Sequence, residues 1–414
     1  MVATTGEATT KAAPWGGWAT VAICVAAALL EGYDIQSAGL AGFGLKAQFG
    51  LTPAQLGLVF SASTLGLLPG AALGGRLADR FGRKRVLIVS VVLFGLFSLM
   101  TAVSWSYESL LLARFLTGVG LGGAMPNLIA LSAESVGPKS RHTAVAVMYA
   151  GMPLGGVLAS LLTVAIEGRF DWHAIFYVGG AAPLLIAPLM FVLLPESRAF
   201  ALRSAEATVA AGPRGASVVG ALFGEGRWAP TLLLWAAYFF TLLVMFLLQN
   251  WLPSLIVSRG FSREVAGGVQ IAFNLGGALG SLAMGPIMDR GPRKTAIAVI
   301  YLGLIGAMVV LGSATGLGGL AAGAFGGGLC ALAGQMVLYG LAPSYYHTLI
   351  RGTGVGAAVA FGRFGSITGP VAAGVFLTAG GSVSTVLLAT VPGILIAAVA
   401  AELLVTRRFA TDWA

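Results

Sequence analysis

Apolar residues gather along this chain into twelve long stretches separated by short polar breaks. The stretches lie near 16–44, 55–77, 86–105, 107–133, 142–166, 172–194, 228–257, 262–288, 295–313, 316–342, 352–376 and 382–405. A helix rises about 1.5 Å per residue, so about 20 apolar residues cross a hydrocarbon layer of about 30 Å. Each stretch therefore reads as one membrane-crossing helix, the conformation that meets its own backbone hydrogen bonds in lipid. The predicted fold class is an all-α membrane protein of twelve transmembrane helices.

The polar break between the second and third stretches, GRLADRFGRK at 75–84, returns 210 residues later as GPIMDRGPRK at 285–294, with five identities in ten. The same offset pairs Gly57 with Gly267, Gly66 with Gly276, Gly70 with Gly280, Arg141 with Arg351, Thr143 with Thr353 and Gly155 with Gly365. Glycine matches are cheap in a chain with 61 glycines, whereas charged matches in one register indicate duplication. Two pseudo-symmetric six-helix bundles are expected, 1–198 and 227–414, joined by a polar linker over 199–226 on the inner face. Repeats of this kind place a substrate site near the midplane, between halves that rock against each other. Gly66, Gly70 and Gly74, and again Gly276 and Gly280, have the small-xxx-small spacing that lets helix backbones approach closely. Pro126, Pro153, Pro253 and Pro370 bend their helices, as fixed kinks or as hinges.

Composition agrees with membrane residence: hydrophobic residues make up 57% of the chain and charged residues 9%. With the N-terminus inside, 18 of the 24 Lys and Arg fall in inner segments, and only Lys46, Arg169, Arg259 and Arg263 in outer ones. That bias predicts a multi-pass inner-membrane protein with both ends cytoplasmic, its first helix retained. The formal charge of +9 is accounted for by inner-face anchoring against anionic lipid and calls for no nucleic acid. Cys24 and Cys330 both lie in apolar helix and suggest neither a disulfide nor a metal site. Phosphate-binding loops, nucleophile elbows and zinc-ligand spacings are absent from the sequence, so no enzyme activity and no cofactor are expected.

The sequence GGRLADRFGRKR resembles the loop motif between the second and third helices of the major facilitator superfamily, and the resemblance extends over nearly the whole chain. In that family the motif's acid, here Asp79, caps a neighbouring helix and pairs with arginines when the transporter is open outward. Such a role suits a carboxylate near helix N-termini facing guanidinium groups. An inner-face anchor explains the arginines but not Asp79. The resemblance thus implies a gating set of Gly75, Asp79, Arg80, Arg83, Asp289, Arg290, Arg141 and Arg351. Glu134 in LSAESVG and Glu196 in LLPESR, beside basic residues at inner helix ends, join it as partners in a salt-bridge network.

Four charges fall well inside the predicted spans: Glu31, Asp34, Arg114 and Arg363. A charge at mid-bilayer costs about 2.5–3.5 kcal/mol on insertion scales, so each needs a partner, water or a function. Glu31 and Asp34 are three apart and share a helix face. Asp34 and Arg114 lie at comparable depth and can compensate each other, either as a fixed folding pair or as part of a site. Unlike Asp79/Asp289 and Arg141/Arg351, these charges do not repeat at the 210 offset: Glu31 meets Thr241, Asp34 meets Val244 and Arg363 meets Pro153. A specific ligand and coupling ion would demand that asymmetry.

EGYDIQSAG in the first helix, RFLTGVGLGGAMPN in the fourth and GRFGSITGP in the eleventh resemble the aromatic acid:proton symporter family. EGYDIQSAG is most similar to the 3-(3-hydroxyphenyl)propionate transporters of that family, with Glu31 standing where the usual first acid is Asp. The resemblance implies import of a small aromatic carboxylate with protons as the coupling ion, carried by Glu31 or Asp34. Arg114 or Arg363 would bind the substrate anion. Polar and aromatic residues on the other inward faces are candidates for the ring and its substituents: Tyr33, Tyr238, Gln249, Gln270, Asn274, Gln335 and Tyr339. Interhelical hydrogen bonding is the alternative role for each. The protein is expected to function as a monomer surrounded by lipid. Proton-coupled efflux remains open, because Arg114 to Gly120 also fits an antiporter pattern, as do a ligand-binding sensor and a sugar or other organic-acid porter.

Overall fold

The computed structural model describes residues 16–137, 140–166, 171–197, 218–224, 226–290, 292–347 and 350–407. The side chains of Asp79, His142, Val218, Ala221, Gly285, Pro286, Met288, Asp289, Arg290 and Gly352 are outside that description. Among the described residues twelve helices are long and apolar enough to cross a membrane. The first six are α1 Gly17–Phe49, α2 Pro53–Phe81, α3 Arg83–Ala102, α4 Tyr107–Ser135, α5 Arg141–Ile166 and α6 His173–Leu193. They are followed by α7 Trp228–Ser258, α8 Arg263–Arg290, α9 Arg293–Ser313, α10 Leu317–Leu341, α11 Arg351–Thr378 and α12, which is broken into Val383–Leu388 and Val391–Thr406. Among the described residues there is no strand. The predicted linker over 199–226 falls largely outside the described residues, where only a short helix, Val218–Phe223, precedes α7.

Local chemistry sets the helix ends. Gly50 closes α1 in the left-handed region at φ 63°. Thr52 then opens α2 with a capping box: its hydroxyl takes the Gln55 N–H at 3.2 Å, and Gln55 Oε1 takes the Thr52 N–H at 2.9 Å. The motif at 75–84 is only partly a loop. α2 absorbs it as far as Phe81, because Gly82, at φ 96°, is the residue that turns the chain into α3. A Cβ at Gly82 would also collide with the Glu196 carboxylate.

The duplication read from the sequence appears again in the packing. α1 packs on α5, α2 on α4 and α3 on both α4 and α6, while α7 packs on α11, α8 on α10 and α9 on both α10 and α12. Glycines make the closest approaches, and their contact partners keep the 210 offset. A Cβ on Gly66 would strike the Phe115 carbonyl and one on Gly276 the Phe325 carbonyl; Gly118 faces Ser63 as Gly328 faces Phe273. Each half is therefore built on the same backbone-to-backbone seam, which a side chain would pry apart.

Odd-numbered helices begin, and even-numbered helices end, at the basic end of the bundle that bears the repeated motif. The halves meet toward the opposite end, along α2–α11, α5–α8 and α1–α7. There the Ala54 N–H donates to Thr378 Oγ1 at 3.0 Å, Ser61 Oγ donates to the Ile367 carbonyl at 2.8 Å, and Arg263 lies 4.4 Å from the Phe43 ring centroid. Gly57 and Gly374 admit the backbone of the facing half at Pro370 and Pro53. Further toward the basic end the halves touch through Tyr149 and Tyr339, whose ring centroids are 6.2 Å apart.

Because Gly118 and Gly328 occupy equivalent seams, Gly118→Leu and Gly328→Leu should each exceed the ~1–3 kcal/mol typical of overpacking and abolish a monodisperse peak in detergent gel filtration. A Cβ at Gly75 meets nothing within 4 Å. Gly75→Val should accordingly elute as the wild type does, and a lost peak would contradict this packing.

Candidate functional site

The pairing expected from matched depth forms. Arg114 Nη1 lies 3.1 Å from Asp34 Oδ2, Ser98 Oγ donates to Asp34 Oδ1 at 2.9 Å, and the Arg114 guanidinium sits 5.5 Å from the Phe176 ring centroid. Both ionic side chains are at most 1% exposed. The cluster draws on α1, α3, α4 and α6 and lies wholly within the first half. Tyr33 is engaged beside it, its hydroxyl donating to the Ile175 carbonyl at 2.9 Å. Of the residues expected to meet the ligand, Tyr33 and Arg114, the latter as the alternative to Arg363, do not line the central cavity.

Glu31 faces elsewhere. Three residues on a helix turn through about 300°, which leaves side chains about 60° apart, enough here to divide two acids between two environments. Glu31 is 2% exposed, its Oε2 has no hydrogen-bond partner, and it lines a cavity between the halves. Arg363 lines the same cavity, and the two make no ion pair. Around them stand Gln36, Tyr149, Gln249 and Gln335 as polar groups, with Ile35, Met152, Pro153, Met245, Phe246 and Leu332 as apolar ones. The lining thus offers a carboxyl, a guanidinium and a surface suited to a flat apolar ring. Its volume, about 40 Å³, accommodates a few waters. An engineered cavity of about 150 Å³ holds benzene, so a ring enters only after this one expands.

Toward the opposite end an amide cluster closes the cavity. Gln36 Nε2 donates to Asn274 Oδ1 at 2.5 Å, and Gln36 Oε1 accepts from Asn274 Nδ2 at 2.8 Å and Gln270 Nε2 at 2.9 Å. Gln270 and Asn274, candidates for the ligand or for interhelical hydrogen bonding, hold Gln36 across the two halves. Sequence reasoning missed Gln36 and Tyr149. Gln36 lies five residues from Glu31 in a mid-span run, a signal that could have exposed it. Of the remaining candidates, Gln249 and Gln335 line the cavity. Tyr339 packs on Tyr149 and receives a 3.3 Å hydrogen bond from Gln335 Nε2, while Tyr238 packs behind Tyr339 at 5.8 Å.

At the basic end Arg83 pairs with Glu134, whose other oxygen accepts from Ser197 Oγ at 2.6 Å. Glu196 Oε1 accepts the backbone N–H groups of Lys84 at 3.0 Å and Ser197 at 2.9 Å. These contacts tie the α2–α3 turn to the ends of α4 and α6, all within one half. Arg80 is exposed beside the Phe81 ring, and Arg141 and Arg351 are exposed at the first turns of α5 and α11. The gating expectation for Asp79, Asp289 and Arg290 falls on side chains outside the description.

Comparison with known proteins places this geometry. The profile of the Major Facilitator Superfamily matches residues 24–317 and 234–414. A 3-(3-hydroxy-phenyl)propionate transporter of Escherichia coli (strain K12) is 47% identical over 94% of both chains. A gallate transporter of Pseudomonas putida is 35% identical, over 88% of this chain and 86% of its own. The 4-hydroxybenzoate transporter PcaK of Pseudomonas aeruginosa is 34% identical, over 90% and 89%. In fold, a bacterial homolog of the human lysosomal transporter Spinster superposes with a TM-score of 0.73 at 18% identity, covering 96% of this chain and 98% of that one.

Two outcomes follow from the buried polar groups. Arg114→Met should strand the Asp34 charge and destabilise the protein by about 3–5 kcal/mol, with Asp34→Leu added in the same chain restoring most of the loss. Thermal unfolding in detergent reads both. Ser254, half-buried with its Oγ shielded against Gly42, six residues beyond Gln36 along α1, reports closure of the opposite end. In Ser254→Cys, adding Gln36→Leu should raise the maleimide labelling rate several-fold, because Cys24 and Cys330 are buried and contribute little background.

Proposed function

The chain belongs to the Major Facilitator Superfamily, and from that premise we propose that it imports a phenolic carboxylate, of the 3-(3-hydroxyphenyl)propionate type, together with protons. The reading rests on one observation above the rest: the buried Glu31 carboxyl, with one oxygen lacking a hydrogen bond, and the Arg363 guanidinium share an otherwise largely apolar cavity between the two halves. The named substrates of the three relatives, all aromatic acids, support the same choice.

Arg363 binds the substrate carboxylate and Ile35, Met152, Met245 and Phe246 enclose the ring. The arriving anion adds negative charge beside Glu31, and a proton on Glu31 removes the repulsion. Binding and protonation are thereby coupled without a cofactor. Asp34, held by Arg114 and Ser98, positions α1 rather than carrying the proton. Moving an anion inward against 100 mV costs about 2.3 kcal/mol per charge, and one accompanying proton cancels that cost. The halves, 1–198 and 227–414, alternate about the cavity. The contacts toward the opposite end support assignment of this conformation to the inward-facing side of the cycle, with both termini cytoplasmic in the inner membrane. One chain supplies every group used, so the monomer is the working unit.

The test is uptake of radiolabelled 3-(3-hydroxyphenyl)propionate into proteoliposomes under an inward proton gradient. Accumulation should vanish with a protonophore. Arg363→Ala should raise KM at least tenfold, the size of one lost charge-assisted contact. Glu31→Gln should abolish proton-driven accumulation yet retain substrate exchange. Silence of the wild type toward this acid and toward hydroxybenzoates would leave proton-coupled efflux as the reading to examine.

A further inference from the structure

Among the polar groups of the cavity one amide has no employment. Glu31 and Arg363 account for charge, Gln36 is held by Gln270 and Asn274, and Gln335 donates to Tyr339. Gln249, on α7, makes no hydrogen bond among the described residues, and its Oε1 is shielded from solvent without a partner. A shielded amide left unsatisfied is a standing cost in free energy, tolerated where a ligand meets it. No protein contact fixes which way the amide points, so it can offer either its oxygen or its N–H.

Resting on the importer reading above, we propose that Gln249 is the specificity-determining residue for a hydroxyl on the substrate ring. A phenol hydroxyl is both donor and acceptor, and so can satisfy the amide oxygen or its N–H. An unsubstituted ring satisfies neither. Met245 and Phe246, four and three residues back along α7, share the cavity wall with Gln249 and provide the apolar bed from which such a hydroxyl would project. The carboxylate and the hydroxyl are thus read by different helices, α11 and α7. A site that spends a buried polar group on a hydroxyl discriminates against the analogue lacking it more strongly than an apolar pocket discriminates by size.

The experiment compares proteoliposome uptake of 3-(3-hydroxyphenyl)propionate and 3-phenylpropionate by the full-length wild type and by Gln249→Met. The wild type should favour the phenol, and Gln249→Met should reduce that preference by about tenfold, the size of one net hydrogen bond. Transport of the phenyl compound shows that the variant folds. A second measurement needs no variant: 3-(3-methoxyphenyl)propionate, which cannot donate, should compete for wild-type uptake less well than the phenol. A preference that survives Gln249→Met, or a wild type that treats all three acids alike, would overturn the role of Gln249 and leave aromatic-acid import standing. A wild type that carries none of them would overturn import itself.

Discussion

Inside hydrocarbon a polar group finds no water, so each one in this bundle must be met by another protein group, by trapped solvent or by a ligand. That constraint sorts the polar residues of α1 more sharply than any motif. Asp34 is met on two sides, by Arg114 and Ser98. Gln36 is met by two amides from the other half. Glu31 and Gln249, each with a shielded oxygen unmet, converge with Arg363 on one cavity. Unmet oxygens at Glu31 and Gln249 thus stand beside the Arg363 guanidinium in a cavity between the halves, whereas Asp34 and Gln36 are bound into the scaffold.

The scaffold owes its form to glycine. Seams such as Gly66 on Phe115 and its counterpart Gly276 on Phe325 hold each half by direct backbone contact, and such seams resist deformation because nothing between them can yield. Motion is thereby directed to the boundary between halves. There the contacts are fewer and more easily exchanged: a hydroxyl to a carbonyl at Ser61, a capped N–H at Ala54, and the amide cluster around Gln36. Against the duplicated frame the chemistry is one-sided. Where the first half has Glu31, the second has Thr241, whose hydroxyl is bonded to Tyr301 at 2.8 Å.

A good deal of this was legible in the amino-acid order. Twelve apolar stretches dictate twelve helices because lipid leaves the backbone no other partner. The 210-residue register dictates two like halves, since seams such as Gly118 on Ser63 and Gly328 on Phe273 recur only if both partners recur together. The partnership of Asp34 with Arg114 followed from depth alone, because an isolated charge there is too costly to leave unmatched. Depth and spacing do not, however, resolve azimuth or rotamer. Only the packed helices decided that Asp34 and Glu31, near neighbours on one turn, face different surroundings, that Gln270 and Asn274 turn to Gln36, and that Arg114 is enclosed while Arg363 is not. Those outcomes depend on which helix lies against which face, a property of the whole bundle that no single stretch of sequence carries.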